Sequence, residues 1–320
     1  MIITAETVSP SHPDKLCDRI SDSILDACLK QDQNTRAAIE TMGGHGVITI
    51  TGELTTHAYV DIPAIVKSIT PHTGLQTNII EQSPEIGHGV DAGGAGDQGI
   101  MVGYACSETP ELMPKEIMLS RTLCQSIYEQ FPHDGKTQVT YDTKTNKVIS
   151  LVASFCQAKS DDLQKHVDGW KKNWSIDYDF ETFLNPAGEW STGGFDADTG
   201  LTGRKIVIDS YGPRVPVGGG CFSGKDATKV DRSGAYMARK IAIDYLKKNP
   251  GTHEVFCYLS YAIGKKQPTQ ATVIVDGQEE MVTGYDLTPS GIIKSLDLQK
   301  PIFEQTARWG HFGHNFNWEK

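Results

Sequence analysis

The chain has 320 residues, 38% of them hydrophobic and 22% charged, and carries a formal net charge of −10. That balance fits a globular protein of two or three domains and excludes a broad nucleic-acid-binding surface. No stretch approaches the roughly 20 apolar residues that span a bilayer, and the seven cysteines are scattered with no C-x-x-C spacing, which excludes a disulfide framework or a cysteine zinc site.

The opening MIITAETVSPSHPDK lacks a basic flank followed by an apolar core, so no signal peptide is expected and the cytoplasm is the expected location. Ser11, Pro13 and Asp14 predict a helix start, with Ser11 as the N-cap acceptor and Asp14 at the third position. Leu16, Ile20, Ile24 and Ala27 then mark one apolar face. Strands are predicted over 36–42 and 47–55, the second alternating I-T-I-T, and a short helix starts at Asp61. A glycine-rich stretch precedes a strand over 100–106. A helix over 112–131 has Pro114 in its first turn. Segments 138–142 and 147–155 flank T-K-T-N, a hairpin signal. Further on come a helix over 161–172, a strand over 205–210 and a helix over 231–248 with apolar Tyr236, Ile241 and Tyr245. Strands over 253–263 and 271–275 and a short helix over 288–296 end the series. Mixed helix and sheet follows from this order; the topology does not.

In an acidic chain a local basic cluster is informative. Arg204, Lys205, Arg214, Lys225, Lys229 and Arg232 lie close together in sequence, interleaved with Asp209, Asp226 and Asp231. Cations mixed with carboxylates suit a small polyanion that carries a divalent metal, where a purely basic run would suit nucleic acid. Two nucleotide signatures fail on context. GAGDQG (94–99) matches G-x-G-x-x-G, but an apolar strand follows where the dinucleotide fold needs a helix. GGCFSGKD (219–226) lacks the serine or threonine that follows the lysine of a P-loop, and its helix is delayed to about residue 231. His311 and His314 form H-x-x-H with no acidic or cysteine partner nearby, so no metal site is expected there.

HPDK (12–15), GAGDQG (94–99), LTGRK (201–205), GGGCFSGKD (218–226), KVDRS (229–233), SYAIG (260–264) and GHFG (310–313) occur in the order seen in methionine adenosyltransferases, and the resemblance covers nearly the whole chain. It implies an α+β fold of three similar mixed α/β-sheet domains in pseudo-threefold arrangement. The expected segments are 1–84, 94–193 and 194–320, interlocked through discontinuous pieces. It implies a homodimer with active sites at the interface, alone or paired into a tetramer. The implied partners are ATP and L-methionine, with neither nucleic acid nor membrane. In the implied reaction methionine sulfur attacks C5′ of ATP and expels tripolyphosphate, which is then hydrolysed to phosphate and pyrophosphate. This is the S-adenosylmethionine-forming step of one-carbon metabolism.

The same resemblance makes His12, Lys136, Arg204, Lys205, Lys225 and Lys229 the phosphate-contacting, catalytic set. Asp14 and Asp231 become the Mg²⁺ carboxylates, with two ions per site, and Glu40 the K⁺ ligand. Glu53, Gln82, Asp198 and Lys229 match methionine-binding positions. Asp97 and Asp134 lie near the nucleoside, and Trp190 takes the adenine-stacking place. Taken singly, Asp14 is a capping residue, Lys136 and Lys229 are solvated lysines, Glu40 and Glu53 are open-face carboxylates and Trp190 is packing. Only their joint placement inside ordered motifs points to chemistry.

The chain also departs from the family pattern. The segment from Gln82 to Gly94, a mobile lid in typical members, is shortened, as are 70–81 and 128–134, and the end lacks the usual closing helix. Trp190 stands where Phe is common and His314 where Arg is common. Two other functions compete: a P-loop-like phosphotransferase, against which Asp226 counts, and a silent nucleotide-binding scaffold, against which the joint presence of His12, Asp14, Lys136, Lys225 and Asp231 counts.

Overall fold

The computed structural model of the chain describes residues 1–72, 74–83 and 93–320. In chain order the first elements are β1 (Ile2–Val8), α1 (Pro13–Leu29), β2 (Arg36–Gly44), β3 (Val47–Thr55), α2 (Ile62–Ile69) and β4 (Gly74–Ile80). Then come β5 (Gly99–Cys106), α3 (Lys115–Gln130), β6 (Gly135–Asp142), β7 (Lys147–Phe155), α4 (Ser160–Asn173) and β8 (Glu181–Leu184). The last third holds β9 (Gly200–Leu201), α5 (Ile206–Asp209), α6 (Val230–Lys248), β10 (Glu254–Tyr261), β11 (Gln270–Val275), β12 (Gln278–Met281), α7 (Pro289–Leu296) and α8 (Thr306–Trp309), with 3₁₀ turns at Gly194–Asp196 and Asn317–Glu319.

Among the described residues the strands form three four-stranded sheets, ordered β1-β6-β7-β8, β12-β11-β10-β5 and β4-β3-β2-β9. Each long helix leads into an antiparallel hairpin of its own sheet: α1 into β2–β3, α3 into β6–β7, α6 into β10–β11. The strand that comes before each long helix pairs elsewhere: β1 with β6, β5 with β10, β9 with β2. Each repeat thus lends its first strand to the next sheet in a closed cycle of three, which is the pseudo-threefold α+β architecture. Two of the sheets end in a parallel edge strand reached through a helix, β3–α2–β4 and β7–α4–β8, as parallel pairing requires a crossover.

Burial explains the periodicities. Leu16, Ile20 and Ile24 of α1 are buried, with Ala37 and Ile39 of β2 and Ile48 and Ile50 of β3 in the same apolar core. Residues Leu119, Leu123 and Ile127 of α3 pack with Val139, Leu151, Leu163 and Trp170 in a second core. The opposite face of the β4-β3-β2-β9 sheet is open in the single chain and carries Met42, Val47, Ile80 and Leu201, all exposed.

Several expectations need correction. Segment 205–210, expected as a strand, is the one-turn helix α5: its apolar run I-V-I sits between Lys205 and Asp209, whose carboxylate is drawn inward by the buried Lys15 ammonium. The N-cap of α1 is His12, not Ser11, because His12 Nδ1 accepts the Asp14 N–H at 3.1 Å while the Ser11 hydroxyl turns to Tyr128 and the Pro132 carbonyl. Ala27 is only half-buried. Helix α3 starts at Lys115 with Pro114 as its cap, since Leu112 adopts a left-handed φ of 57°. Of the shortened lid from Gln82 to Gly94, residues 84–92 lie outside the described residues.

Candidate active site

The chain's candidate residues gather in two groups. The first surrounds the N-terminus of α1. Pro13 occupies the first helical position and fixes φ there, so His12 and Asp14 are presented at the helix mouth. Strand β9 crosses this mouth so closely that a Cβ on Gly200 would lie 2.1 Å from the Pro13 carbonyl oxygen. That approach delivers the Leu201 N–H to Asp14 Oδ1 at 2.9 Å and brings Lys205 Nζ against Oδ2, with Arg204 Nε 3.6 Å from Oδ1. Burial alone would raise the Asp14 pKa, but the Lys205 ammonium and the Leu201 N–H outweigh it and hold the carboxyl below its ordinary value.

His12 answers to the same field. Burial, then Lys205, push it down to about 4, with Lys136 acting in the same direction and Asp14 and Asp198 opposing. The ring is therefore neutral at pH 7. Because Nδ1 already accepts the Asp14 N–H, the proton is assigned to Nε2, which makes His12 a hydrogen-bond donor without a charge. Lys136 stands on β6 opposite Val8 of β1, and Asp134 precedes that strand. Asp134 Oδ2 accepts the Gly194 N–H at 2.9 Å, and burial raises its pKa against the opposing effects of that N–H and Lys136.

Beside this group opens a cleft of about 330 Å³, lined among others by Ser11, Asp134, Gln157, Ser191, Gly194 and Phe195. Trp190 is outside that lining but next to it: its carbonyl accepts the Gln157 N–H at 2.8 Å and its indole N–H reaches Asn185 Oδ1 at 3.4 Å.

The second group lies at the N-terminus of α6 and on the open sheet face. Lys225 Nζ donates to Asp231 Oδ2 at 2.7 Å. The Lys225 backbone bridges to Ala38 on the edge of β2, and its charge acts on Glu40, which Glu53 also faces. Asp231 is packed so tightly on the glycine loop that a Cβ on Gly219 would lie 2.4 Å from its Oδ1, and one on Gly99 3.0 Å. Asp97, two residues before Gly99, is exposed on the loop that leads into β5. Lys229 caps α6 and pairs with the buried Asp226 at 2.5 Å. Gln82 follows β4, its N–H directed to Thr55 Oγ1 at 3.3 Å.

No hydrogen bond or ion pair joins the two groups among the described residues, so the structure collects the sequence-predicted set in two halves, each with its own metal-candidate carboxylate. Among the described residues no three His, Cys, Asp or Glu side chains converge as a metal cage. Mg²⁺ does not need one: it commonly keeps water and substrate phosphate oxygens and takes only one or two carboxylates. An ionised, lysine-paired Asp14 and an Asp231 facing a glycine loop fit that donor set.

The structure also adds Asp18 and Asp22, which motif reading passed over. Asp18 Oδ1 accepts the Gly203 N–H at 2.8 Å, and Lys15, wholly buried, bridges Asp18 and Asp209. Asp22 forms a buried two-pronged pair with Arg232 at 2.6 and 2.8 Å. Their signal was present in sequence as aspartates every fourth residue along α1, a pattern that otherwise describes a solvated face. His311 is buried in the core and His314 is half-buried beside it: His311 Nδ1 meets the Tyr236 hydroxyl, and burial depresses both rings, His314 to about 3.

Both glycine-loop exclusions hold in space. GAGDQG leads into β5, not a helix, and four residues separate Lys225 from the start of α6 at Val230. Three family models match the chain: the S-adenosylmethionine synthetase N-terminal domain over residues 1–85, the central domain over 92–190 and the C-terminal domain over 192–320.

Proposed function

We propose that this chain, which belongs to the S-adenosylmethionine synthetase family and is a transferase, joins methionine to the adenosyl group of ATP by direct attack of sulfur on C5′. The observation that carries the reading is the convergence of His12, Asp14, Lys136, Arg204 and Lys205 at one helix mouth beside a nucleoside-sized cleft. Thioether sulfur is already nucleophilic, so no covalent nucleophile is needed. The barrier lies in releasing a leaving group with about four negative charges, and that charge must meet fixed donors and cations before the bond breaks.

Each side chain then has a task. Arg204, Lys205 and Lys136 neutralise phosphate oxygens, and neutral His12 donates its Nε2–H to the departing oxygen without adding repulsion among the three cations. Lys225 and Lys229 face the far phosphates. Asp134 and Asp97 orient the nucleoside, with Trp190 stacking on adenine. Glu53, Gln82, Asp198 and Lys229 hold methionine, where a carboxylate grips the ammonium. Asp14 and Asp231 would hold Mg²⁺, two ions per site, supplying further neutralisation of the leaving charge when bound; Glu40 would hold K⁺. The expelled tripolyphosphate is hydrolysed to phosphate and pyrophosphate in the same site.

A second copy of the chain completes the site in this reading. Two observations favour it: among the described residues no hydrogen bond or ion pair joins the two half-sites within one chain, and the sheet face bearing Glu40 and Glu53 also exposes Met42, Val47, Ile80 and Leu201, an apolar patch of the kind that marks an interface. No helix of the described residues is long and apolar enough to cross a membrane. The test is incubation with ATP, methionine, Mg²⁺ and K⁺ and detection of the sulfonium product by mass. ATP consumption without that product would sink the proposal in favour of a phosphotransferase, and no consumption would favour a silent scaffold.

A further inference from the structure

Helix α1 carries an aspartate at every fourth position, Asp14, Asp18, Asp22 and Asp26, and all four are buried. Carboxylates four apart on a helix repel one another, and burial strips each of water. The row is satisfied because each carboxylate accepts backbone N–H groups from a different point of the chain: Leu201 for Asp14, Gly203 for Asp18, Gly224 for Asp22, and Phe303 and Glu304 for Asp26.

The middle two rungs have a particular address. Gly203 immediately precedes Arg204 and Lys205, and Gly224 immediately precedes Lys225; both glycines have φ of +81°, a left-handed conformation open to glycine, whose backbone freedom leaves the direction of the following residue to be set by what ties the chain down. Around Lys205 the tie is made at both ends, since Asp18 takes the Gly203 N–H at 2.8 Å and the Asp209 N–H donates to the Lys205 carbonyl at 2.8 Å, with Lys15 locked between the two carboxylates. Around Lys225 it is also made at both ends. Asp22 Oδ1 takes the Gly224 N–H at 2.8 Å, and Arg232, paired with Asp22, donates from Nη1 to the Lys225 carbonyl at 3.0 Å. Arg232 spends its remaining donors on Tyr236 and Thr306 and lies over the Phe303 ring at 4.2 Å.

We propose that Asp18 and Asp22 are positioning residues for the site's cations: one rigid helix sets the aim of Lys205 through Asp18 and of Lys225 through Asp22 with Arg232. The inference rests on the phosphate role given above to Lys205 and Lys225. Fixed charge is worth most in catalysis when it needs no reorganisation as the leaving group departs, and a misplacement of about 1 Å can cost on the order of 10²-fold in rate. Asp26, on the same stripe, grips a segment that carries none of these cations.

Double-mutant cycles on the purified, assembled enzyme test this. kcat and KM for ATP are measured for Asp18→Asn, Lys205→Ala and the pair, and for Asp22→Asn, Lys225→Ala and the pair, with Asp26→Asn as the control. Each of Asp18→Asn and Asp22→Asn should lower kcat by roughly tenfold or more in the native background, yet by less than about twofold once its lysine is gone, because coupled residues are non-additive. Asp26→Asn should leave kcat within about twofold of the native enzyme. Multiplicative losses in both cycles, or an equal loss in Asp26→Asn, would overturn the inference while leaving the phosphate role intact. Unchanged kcat in Lys205→Ala and Lys225→Ala alone would remove the phosphate role and this inference with it. If an asparagine variant does not assemble, Arg232→Lys is read in the Lys225 cycle by the same criteria, since it keeps a cation opposite Asp22 and loses the donor to the Lys225 carbonyl.

Discussion

Replacing Lys225 with alanine removes one fixed charge from the proposed leaving-group site and little else. A unit charge about 4 Å from a phosphate oxygen is worth about 4 kcal/mol at an effective dielectric near 20. The Lys225 side chain retains 21% of its exposure in the single chain, so part of that is screened, and a loss of about 3 kcal/mol, or roughly 10²-fold in kcat, is the expected floor. The fold should hardly notice. The Lys225–Asp231 pair at 2.7 Å is partly exposed, and such pairs contribute about 0–1 kcal/mol; the backbone ties through Gly224 and Ala38 do not involve the ammonium. The assay is the initial rate of sulfonium product at saturating ATP and methionine, with thermal unfolding measured alongside. A variant that melts normally and turns over within about threefold of the native enzyme would refute the phosphate assignment. One that loses rate only because it melts early would refute the claim that the ammonium is dispensable to the fold.

His12→Asn should keep the helix, since asparagine is a good N-cap, while lowering kcat by about tenfold or more; an unchanged kcat would remove His12 as a donor. His12 should also contribute a loss of stability as pH falls from about 6.5 to about 4, because over that window the unfolded histidine binds a proton that the folded one refuses; urea unfolding of the native protein and His12→Asn at pH 7 and 5 should show the variant losing less. Asp26 runs the other way. Burial pushes its carboxyl up to about 7, so the folded state holds a proton that the unfolded state releases near 4, and its contribution to stability should fall as pH rises between these values; Asp26→Asn should remove that contribution, and an unaltered pH dependence would show that Asp26 does not titrate there. If two copies share each site, mixing Lys205→Ala with Lys225→Ala protomers and allowing exchange should restore about a quarter of native activity, since half the dimers are mixed and each holds one intact site of two. No recovery despite proven exchange would place both groups in one chain's own site.

Local signals were legible where a single period and a single cap decide the outcome. The I-T-I-T alternation at 47–55 is β3 to the residue, because one face of that strand is buried and a period of two leaves no other register. The start of α2 followed from Asp61, whose Oδ1 accepts the Ala64 N–H at 3.0 Å. Strands β1, β4, β8, β9 and β12 escaped notice. All of them are edge strands: β4, β8 and β12 are mostly exposed and carry little alternation to read, β9 is only two residues long, and β1 acquires its role only by pairing with β6, more than a hundred residues away.

The candidate site divides in the same way. Its motifs, their order and the family they belong to reside in the sequence, because glycine loops, capping prolines and clustered cations are local chemistry. What the sequence could not decide is which of those motifs meet. The cyclic exchange of β1, β5 and β9 among three sheets brings Arg204 and Lys205 to Asp14 and leaves Lys225 and Asp231 with Glu40 on another face. The aspartates of α1 show the limit most clearly: in sequence their spacing of four describes a wet, repelling stripe, and only burial against loops from residues 201 to 304 turns it into a set of anchors. Charge is intrinsic to a residue, but whether a carboxylate is solvated or spent on another segment's N–H depends on what the fold lays over it.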